Sequence, residues 1–270
     1  MPASLQSDLI RRTNMIDRTA ETWRPPLFAQ SGGRRVSAMA AVRRFLDLQA
    51  GSIWRDLRNV LPHIAGTIVD VGCGAQPYRS LVPVAVKYIG IDNVVSKDCF
   101  GYDVSDTRYF SGDHWPVEDA SVDFVLCTET LEHVPDSQQF LGEAFRCLAP
   151  GGTLLITIPF AARWHFVPHD YWRFTPSGLA RLLRSSGFVN IRVYARGNAF
   201  TVACYKTMAL LLRLALPQTQ TVVLRLILRI LFIPCVPVFV ALAALANCSL
   251  LGQGGDDCLG YTAISERKSQ

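Results

Sequence analysis

The residues of this chain able to do chemistry fall into separate stretches. Asp70, Gly72, Cys73 and Gly74 come directly after and within an apolar, β-branched run, Ile68, Val69 and Val71. The run predicts a buried parallel strand, and the glycines let the chain turn sharply and bring bare backbone against a ligand. The spacing is that of a nucleotide-binding turn, although Pro77 replaces the third glycine of the dinucleotide fingerprint. Asp92 ends a second predicted strand, residues 86–91, about 20 residues beyond the first glycine, where a carboxylate accepts hydrogen bonds from ribose hydroxyls. Glu129, Glu132 and His133 follow a further predicted strand, residues 121–127. Residues 160–176 then gather His165, His169, Asp170 and Arg173 among large aromatics with no regular period, which suits a substrate-binding lid. Within that run Asp170 and Arg173 are spaced to pair, and Thr175 and Pro176 to cap the next helix.

Positioning these groups requires strands that alternate with helices. Helices are expected over residues 79–84, from about 137 to Cys147, and over 177–186. Residues 148–152 read as a turn into a strand at 153–158, and a sixth strand is expected at 189–194. This alternation predicts an α/β fold with a parallel, doubly wound sheet whose ligands lie at the carboxyl ends of its strands, where all the polar candidates fall. The chain has 270 residues, half of them hydrophobic, enough to bury one large core. Its eight cysteines form no Cys-x-x-Cys pair, which argues against a zinc ribbon or disulfide scaffold and fits a reducing cytosol. No secretory leader opens the sequence, so export is not expected. Residues 1–35 read as a polar, arginine-rich arm, and 36–64 as helices. Their basic face lacks interleaved aromatics, so no nucleic-acid partner is expected.

The motifs Asp70-Val71-Gly72-Cys73-Gly74, Ile91-Asp92, Asp123 to Cys127 with Leu131-Glu132-His133-Val134, and Leu148-Ala149-Pro150-Gly151-Gly152 occur in a familiar order. Together they resemble a class I S-adenosylmethionine-dependent methyltransferase of the type 11 group, over residues 60–196. The resemblance implies a Rossmann-like, mostly parallel seven-stranded sheet, with residues 70–74 at the methionine end of S-adenosylmethionine and Asp92 at its ribose. It also implies an acid near the adenine, for which Asp113 is nearest though out of register, with Asp103 and Asp106 as alternatives. Glu129 is counted with this cofactor set. Glu129-x-x-Glu132-His133 is also similar to a cluster in ubiquinone-biosynthesis O-methyltransferases that can hold a divalent cation such as Mg²⁺, which would lower a substrate hydroxyl's pKa. The preferred role for His133 is acid/base or orienting, with His165, His169 and Asp170 as further catalytic candidates from the lid.

Beyond this core, residues 207–251 form an apolar helical insertion, and 252–270 supply the closing strand, 259–265, and a tail. Pro234 and Pro237 interrupt the most apolar part, while Gln218, Thr221, Arg225 and Arg229 fall on a narrow polar stripe suited to a helix in a membrane interface. If the closing strand joins the sheet, both ends of the insertion lie on one side of a membrane, and only a hairpin, a re-entrant pair or an interfacial helix is compatible. The expectation is therefore a methyltransferase on the cytoplasmic face of a membrane, acting on an oxygen of a small-molecule, glycan or lipid-linked acceptor. The alternatives are a catalytically silent membrane-associated binding protein and, from the fold alone, a nicotinamide-dependent oxidoreductase.

Overall fold

The computed structural model describes residues 34–100, 103–216 and 221–269. The expected arm lies almost wholly outside the described residues, as does Gln218 of the polar stripe. Two helices open the described chain, α1 (Arg34–Leu46) and α2 (Leu48–Val60), separated by Asp47, which accepts the Ala50 N–H as the N-cap of α2.

The sheet follows: β1 (Thr67–Val71), β2 (Lys87–Asn93), α3 (Val94–Phe100), β3 (Thr107–Phe110), β4 (Val122–Thr128), α4 (Ser137–Cys147), β5 (Leu148–Pro159), α5 (Pro176–Ser185) and β6 (Phe188–Arg196). Helices α6 (Ala199–Ala215), α7 (Val222–Phe232) and α8 (Val236–Ser249) precede the last strand, β7 (Gly260–Arg267). The strands form one seven-stranded sheet in the order β3-β2-β1-β4-β5-β7-β6, parallel except for β7, which runs antiparallel between β5 and β6. The doubly wound, mostly parallel fold expected from the sequence is present.

Strand alternation sends side chains to two cores. In β4, Val125 and Cys127 join Leu141, Leu179 and Leu183 of α4 and α5, whereas Phe124 and Leu126 join Ile53 and Leu57 of α2. Several local expectations are corrected. The helix expected over residues 79–84 is a single 3₁₀ turn, Arg79–Leu81, because Pro83 drives Val82 to extended backbone. Residues 148–152 are not a free turn but the start of β5, kinked where its pairing with β4 shifts and where Gly151 takes a positive φ of 82°. Helix α3 and strand β3 are too short to have shown a period in the sequence.

The apolar insertion is a helical hairpin that starts earlier than expected, at Ala199, where Asn198 and Thr201 form a capping box. Its returning arm runs from Val222 to Ser249 as one 28-residue helical rod. The prolines do not break it, since a 3₁₀ turn, Ile233–Cys235, absorbs Pro234 and Pro237 falls in the first turn of α8, where a missing N–H costs nothing. The root of the hairpin packs Val202, Cys204, Met208, Ala243 and Ala246 against Leu48 and Leu259. Its distal part is bare: in the most apolar 18-residue window only 6% is buried.

Arg267, at the end of β7, donates from Nη1 to the carbonyls of Phe145 (2.8 Å), Arg146 (3.2 Å) and Leu148 (2.6 Å), closing the carboxyl end of α4. Charge-assisted bonds of this kind contribute about 1.5–3 kcal/mol. Arg267→Ala is therefore expected to lower unfolding stability by about 2 kcal/mol in urea, with Arg267→Lys recovering part of the loss.

Candidate functional site

The turn after β1 is tied to the end of β2. Ile91 O accepts from Gly72 N (2.9 Å) and Cys73 N (3.3 Å), and Asp92 Oδ2 accepts from Gly74 N (2.9 Å). The other Asp92 oxygen takes its neighbour's N–H, Asn93 N, at 2.8 Å. Gly72 and Gly74 both have positive φ, 68° and 52°. A Cβ on Gly72 would sit 2.3 Å from Thr130 Oγ1, so the turn after β1 presses directly on the loop after β4. Asp92 is buried at the carboxyl edge of the sheet, beside bare backbone, as the sequence requires. The Cys73 side chain instead faces the core, its Sγ 3.5 Å from Thr107 Oγ1, and burial pushes its thiol far above the usual range. Asp70 is also buried and accepts the Tyr88 hydroxyl at 2.5 Å. Burial raises its pKa to about 7, the Tyr88 bond opposing this and the nearby Asp92 charge adding to it. Asp113 is exposed on the loop that follows β3, while Asp103 and Asp106 are paired at the surface with Lys97 and Arg79.

The loop after β4 and the expected lid are stapled together. Glu132 O accepts the N–H groups of Tyr171 (2.8 Å) and Trp172 (3.3 Å), and Val134 O accepts the Trp172 indole N–H at 2.9 Å. His133 Nδ1 lies 2.7 Å from His169 O, which fixes the proton on Nδ1 and leaves Nε2 as a free base, 3.6 Å from Glu132 Oε1. Burial, with His165 close by, lowers the His133 pKa to about 4, although the His169 carbonyl and Asp170 favour the charged form; the imidazole is neutral at physiological pH. Glu132 is wholly buried, and burial together with the Glu129 charge pushes its carboxyl well above the usual range.

Asp170 organises the rest of the lid. Burial disfavours its charge, but Arg173 (Nη1 to Oδ1, 2.6 Å; Nη2 to Oδ2, 2.8 Å) and His165 hold it ionised well below the ordinary carboxylate range. Its Oδ2 accepts the His165 N–H at 2.9 Å and lies 3.1 Å from His165 Nδ1. His169 contributes chiefly its carbonyl, with its ring against Phe166 and Tyr171. Gln76, Glu129 and Phe166 are non-glycine residues at positive φ (55°, 48° and 50°), in the loops after β1, β4 and β5. Strain of this kind gathers at functional edges.

Glu129 is not brought into the expected trio with Glu132 and His133: its Oε1 accepts from Arg196 Nη2 at 2.8 Å. Arg196, buried at the end of β6, and Tyr88 were both missed from sequence. Arg196 lies just past the expected sixth strand, and the pairing of Tyr88 with Asp70 depends on the β1/β2 register, Ile68 opposite Tyr88. A cleft of ≈ 430 Å³ between Asn59, His63 and Asp123 sits at the opposite, amino-terminal end of the strands.

A family model described as a methyltransferase domain matches residues 35–193. Among curated relatives, a protein of Mycolicibacterium smegmatis described as a probable S-adenosylmethionine-dependent methyltransferase is 35% identical over 96 residues, 34% of this chain and 37% of the relative. A trans-aconitate 2-methyltransferase of Variovorax paradoxus is 30% identical over 127 residues, 44% of this chain and 49% of the relative. The matches thus span less than half the length of either relative. A solved SAM-dependent methyltransferase of Thermotoga maritima superposes with a TM-score of 0.50 at 16% identity, over 87% of this chain and 97% of that one, a likeness of fold.

The raised pKa of Asp70 has a thermodynamic sign. An unfolded aspartate titrates near 3.9, so between about pH 4 and 7 the folded chain binds more protons than the unfolded one, and Asp70 costs stability as pH rises through that window. Asp70→Asn removes this contribution. In cofactor-free urea unfolding, the stability difference between Asp70→Asn and the unsubstituted chain is expected to be about 2–4 kcal/mol more favourable to the variant at pH 8 than at pH 4. A difference independent of pH would contradict the assignment.

Proposed function

The chain belongs to the methyltransferase-domain family, as a class I S-adenosylmethionine-dependent methyltransferase, and from that premise we propose that it methylates an oxygen of a membrane-proximal or lipid-linked acceptor. The observation that carries the chemistry is His133: a neutral, oriented imidazole on the loop that presses against the glycine turn. The residues present fit the cofactor. Two glycines at positive φ offer bare backbone, and the N–H groups of Gly74 and Asn93 fix the Asp92 carboxylate at the end of β2, the position from which it would meet ribose hydroxyls. When bound, S-adenosylmethionine supplies an electrophilic methyl group on a sulfonium.

The chain's own task is alignment and proton removal. His169 O holds His133 so that Nε2 is the basic atom, which would take the proton of an acceptor hydroxyl placed against the cofactor's methyl group. Asp170, Arg173 and the Glu132 carbonyl hold the lid on the same edge, which supports its reading as the acceptor wall with His165 and His169 on it. No oxygen of Glu129 is needed in this scheme. A magnesium site on Glu129, Glu132 and His133 is not adopted, because the Arg196 ion pair engages Glu129.

The acceptor's location rests on the hairpin. Val222, Val223, Leu226, Ile230 and Ile233 are exposed on its distal part, more contiguous apolar surface than a soluble monomer carries without a partner. With β7 paired inside the sheet, both hairpin ends leave from the same side, which fits insertion from the cytoplasmic face. The hairpin also touches the lid, since Lys206 of α6 donates to Ala161 O, and Leu259, just before β7, accepts the N–H groups of Phe160 and Ala161 on its carbonyl. An acceptor carried in the membrane would therefore reach the lid without leaving the surface.

Asp92→Ala is expected to weaken binding of S-adenosylmethionine or its demethylated product by about 1–3 kcal/mol in calorimetry. His133→Ala should instead lower turnover about 10²–10⁴-fold with cofactor affinity unchanged. Tight nicotinamide binding without response to either methionine derivative would overturn the reading. For the membrane, the full chain is expected to sediment with vesicles containing anionic lipid, and replacing residues 210–240 by a short linker should abolish sedimentation while cofactor binding persists. A full chain that stays monomeric and soluble without detergent would refute this part alone.

A further inference from the structure

Among the described residues, Glu132, His133 and His165 each offer a ligand atom within 4.8 Å of the others. Glu132 is fully buried, and among the described residues it is the carboxylate with both oxygens buried and without a hydrogen-bond partner. Leaving such a group unmatched costs free energy, so its surroundings ask for a proton or a cation. Both rings are already oriented. His133 Nδ1 is held by His169 O at 2.7 Å, and His165 Nδ1 by Arg163 O at 2.9 Å and Asp170 Oδ2 at 3.1 Å.

With Nδ1 engaged on both rings, Nε2 is the atom each has left to give. Carbonyls and carboxylates behind the imidazoles are the outer partners that metal-ligating histidines use. Arg173 Nη2 also lies 3.4 Å from His165 Nδ1, but its charge is met by the two-oxygen pairing with Asp170. The rings stand nearly perpendicular, at 80° with centroids 4.9 Å apart.

We propose that Glu132, His133 and His165 form a three-ligand site for a first-row transition dication of the zinc class, with a further coordination position open to the acceptor oxygen. Two imidazoles and one carboxylate suit zinc, cobalt or iron(II), whereas Mg²⁺ prefers oxygen donors. The ligand set differs from the Glu129-containing one, because Glu129 belongs to Arg196. His133 Nε2 and Glu132 Oε1, 3.6 Å apart, are near the edge of about 3.3 Å that a tetrahedron with bonds of about 2.0 Å requires. His165, whose ligand atom lies within 4.8 Å of the other two, is on a partly exposed loop that would close toward the pair on binding. The role of the ion, lowering the pKa of a bound hydroxyl, rests on the methyltransferase reading, while the site itself does not; with the ion bound, His133 Nε2 is a ligand and the ion's acidifying of the hydroxyl replaces proton removal by that nitrogen.

Full-length, metal-stripped protein titrated with Co²⁺ tests this by the visible ligand-field bands of the bound ion. Saturable binding of one equivalent is expected, displaced by Zn²⁺ and not by Mg²⁺. His165→Ala should weaken it at least 100-fold, and Glu129→Gln should change it by less than about 3-fold. Calorimetry with the demethylated cofactor product, run on each variant, shows that the fold survives and reports on the methyltransferase reading separately. Absence of saturable Co²⁺ binding, a His165→Ala variant that binds as before, or an equal loss in Glu129→Gln would each overturn the site.

Discussion

The carboxyl edge of the sheet depends on how the turn after β1 is anchored to β2. One carbonyl, Ile91 O, takes two successive N–H groups, and the next residue, Asp92, takes a third from Gly74. That arrangement fixes the turn's backbone before any ligand arrives, and only glycine tolerates both its φ values and the contact with Thr130. Since Thr130 lies in the loop carrying Glu132 and His133, the same contact sets the distance between the glycine turn and the candidate base. Gly90 serves the opposite side: a Cβ there would come 2.8 Å from Gln76 Nε2, so the bare strand lets the rest of the turn lie against β2.

The edge is built from buried and half-buried carboxyls that resolve the cost of burial in different ways. Asp170 keeps its charge because a two-oxygen guanidinium contact is geometrically matched to it. Glu129 is matched by Arg196, whose Nη2 also bonds Ile158 O at 2.9 Å. Asp70 and Glu132 lack a cation, and burial instead moves their protonation upward. Neighbouring carboxyls thus have separated protonation states, which is how one protein edge offers both proton acceptors and proton donors at neutral pH.

The strands, the glycine turn and Asp92 were legible in the sequence because each is signalled locally, by β-branched runs, by residues that accept positive φ, or by spacing along one βα unit. The lid's pairing of Asp170 with Arg173 was legible for the same reason, being three residues apart. Partnerships set by register or by long separation were not. Tyr88 meets Asp70 only through strand pairing, and Arg196 reaches Glu129 from a residue 67 positions along the chain. The early start of α6 had a readable signal, Asn198 and Thr201 at capping-box spacing, which the uniform apolar character beyond it masked.

The antiparallel β7 links the site to the hairpin. A strand inserted between β5 and β6 must be entered from the carboxyl edge of β5, because it runs opposite to its neighbours. The segment joining β6 to β7 therefore begins and ends at the edge where the candidate site lies. Any long insertion at that position emerges beside the lid, and here its root is fastened by Leu48, Leu259 and the bond of Thr201 to Ser249 at 2.9 Å. The distal arms carry Arg213, Arg225 and Arg229, and guanidinium groups at the far end of an apolar hairpin resist passage through a hydrocarbon core. On the proposed membrane reading, shallow seating, with aliphatic side chains among acyl chains and arginines at headgroup level, would satisfy both sets of residues. It would also keep the lid at the surface, where the proposed acceptor would present its polar end.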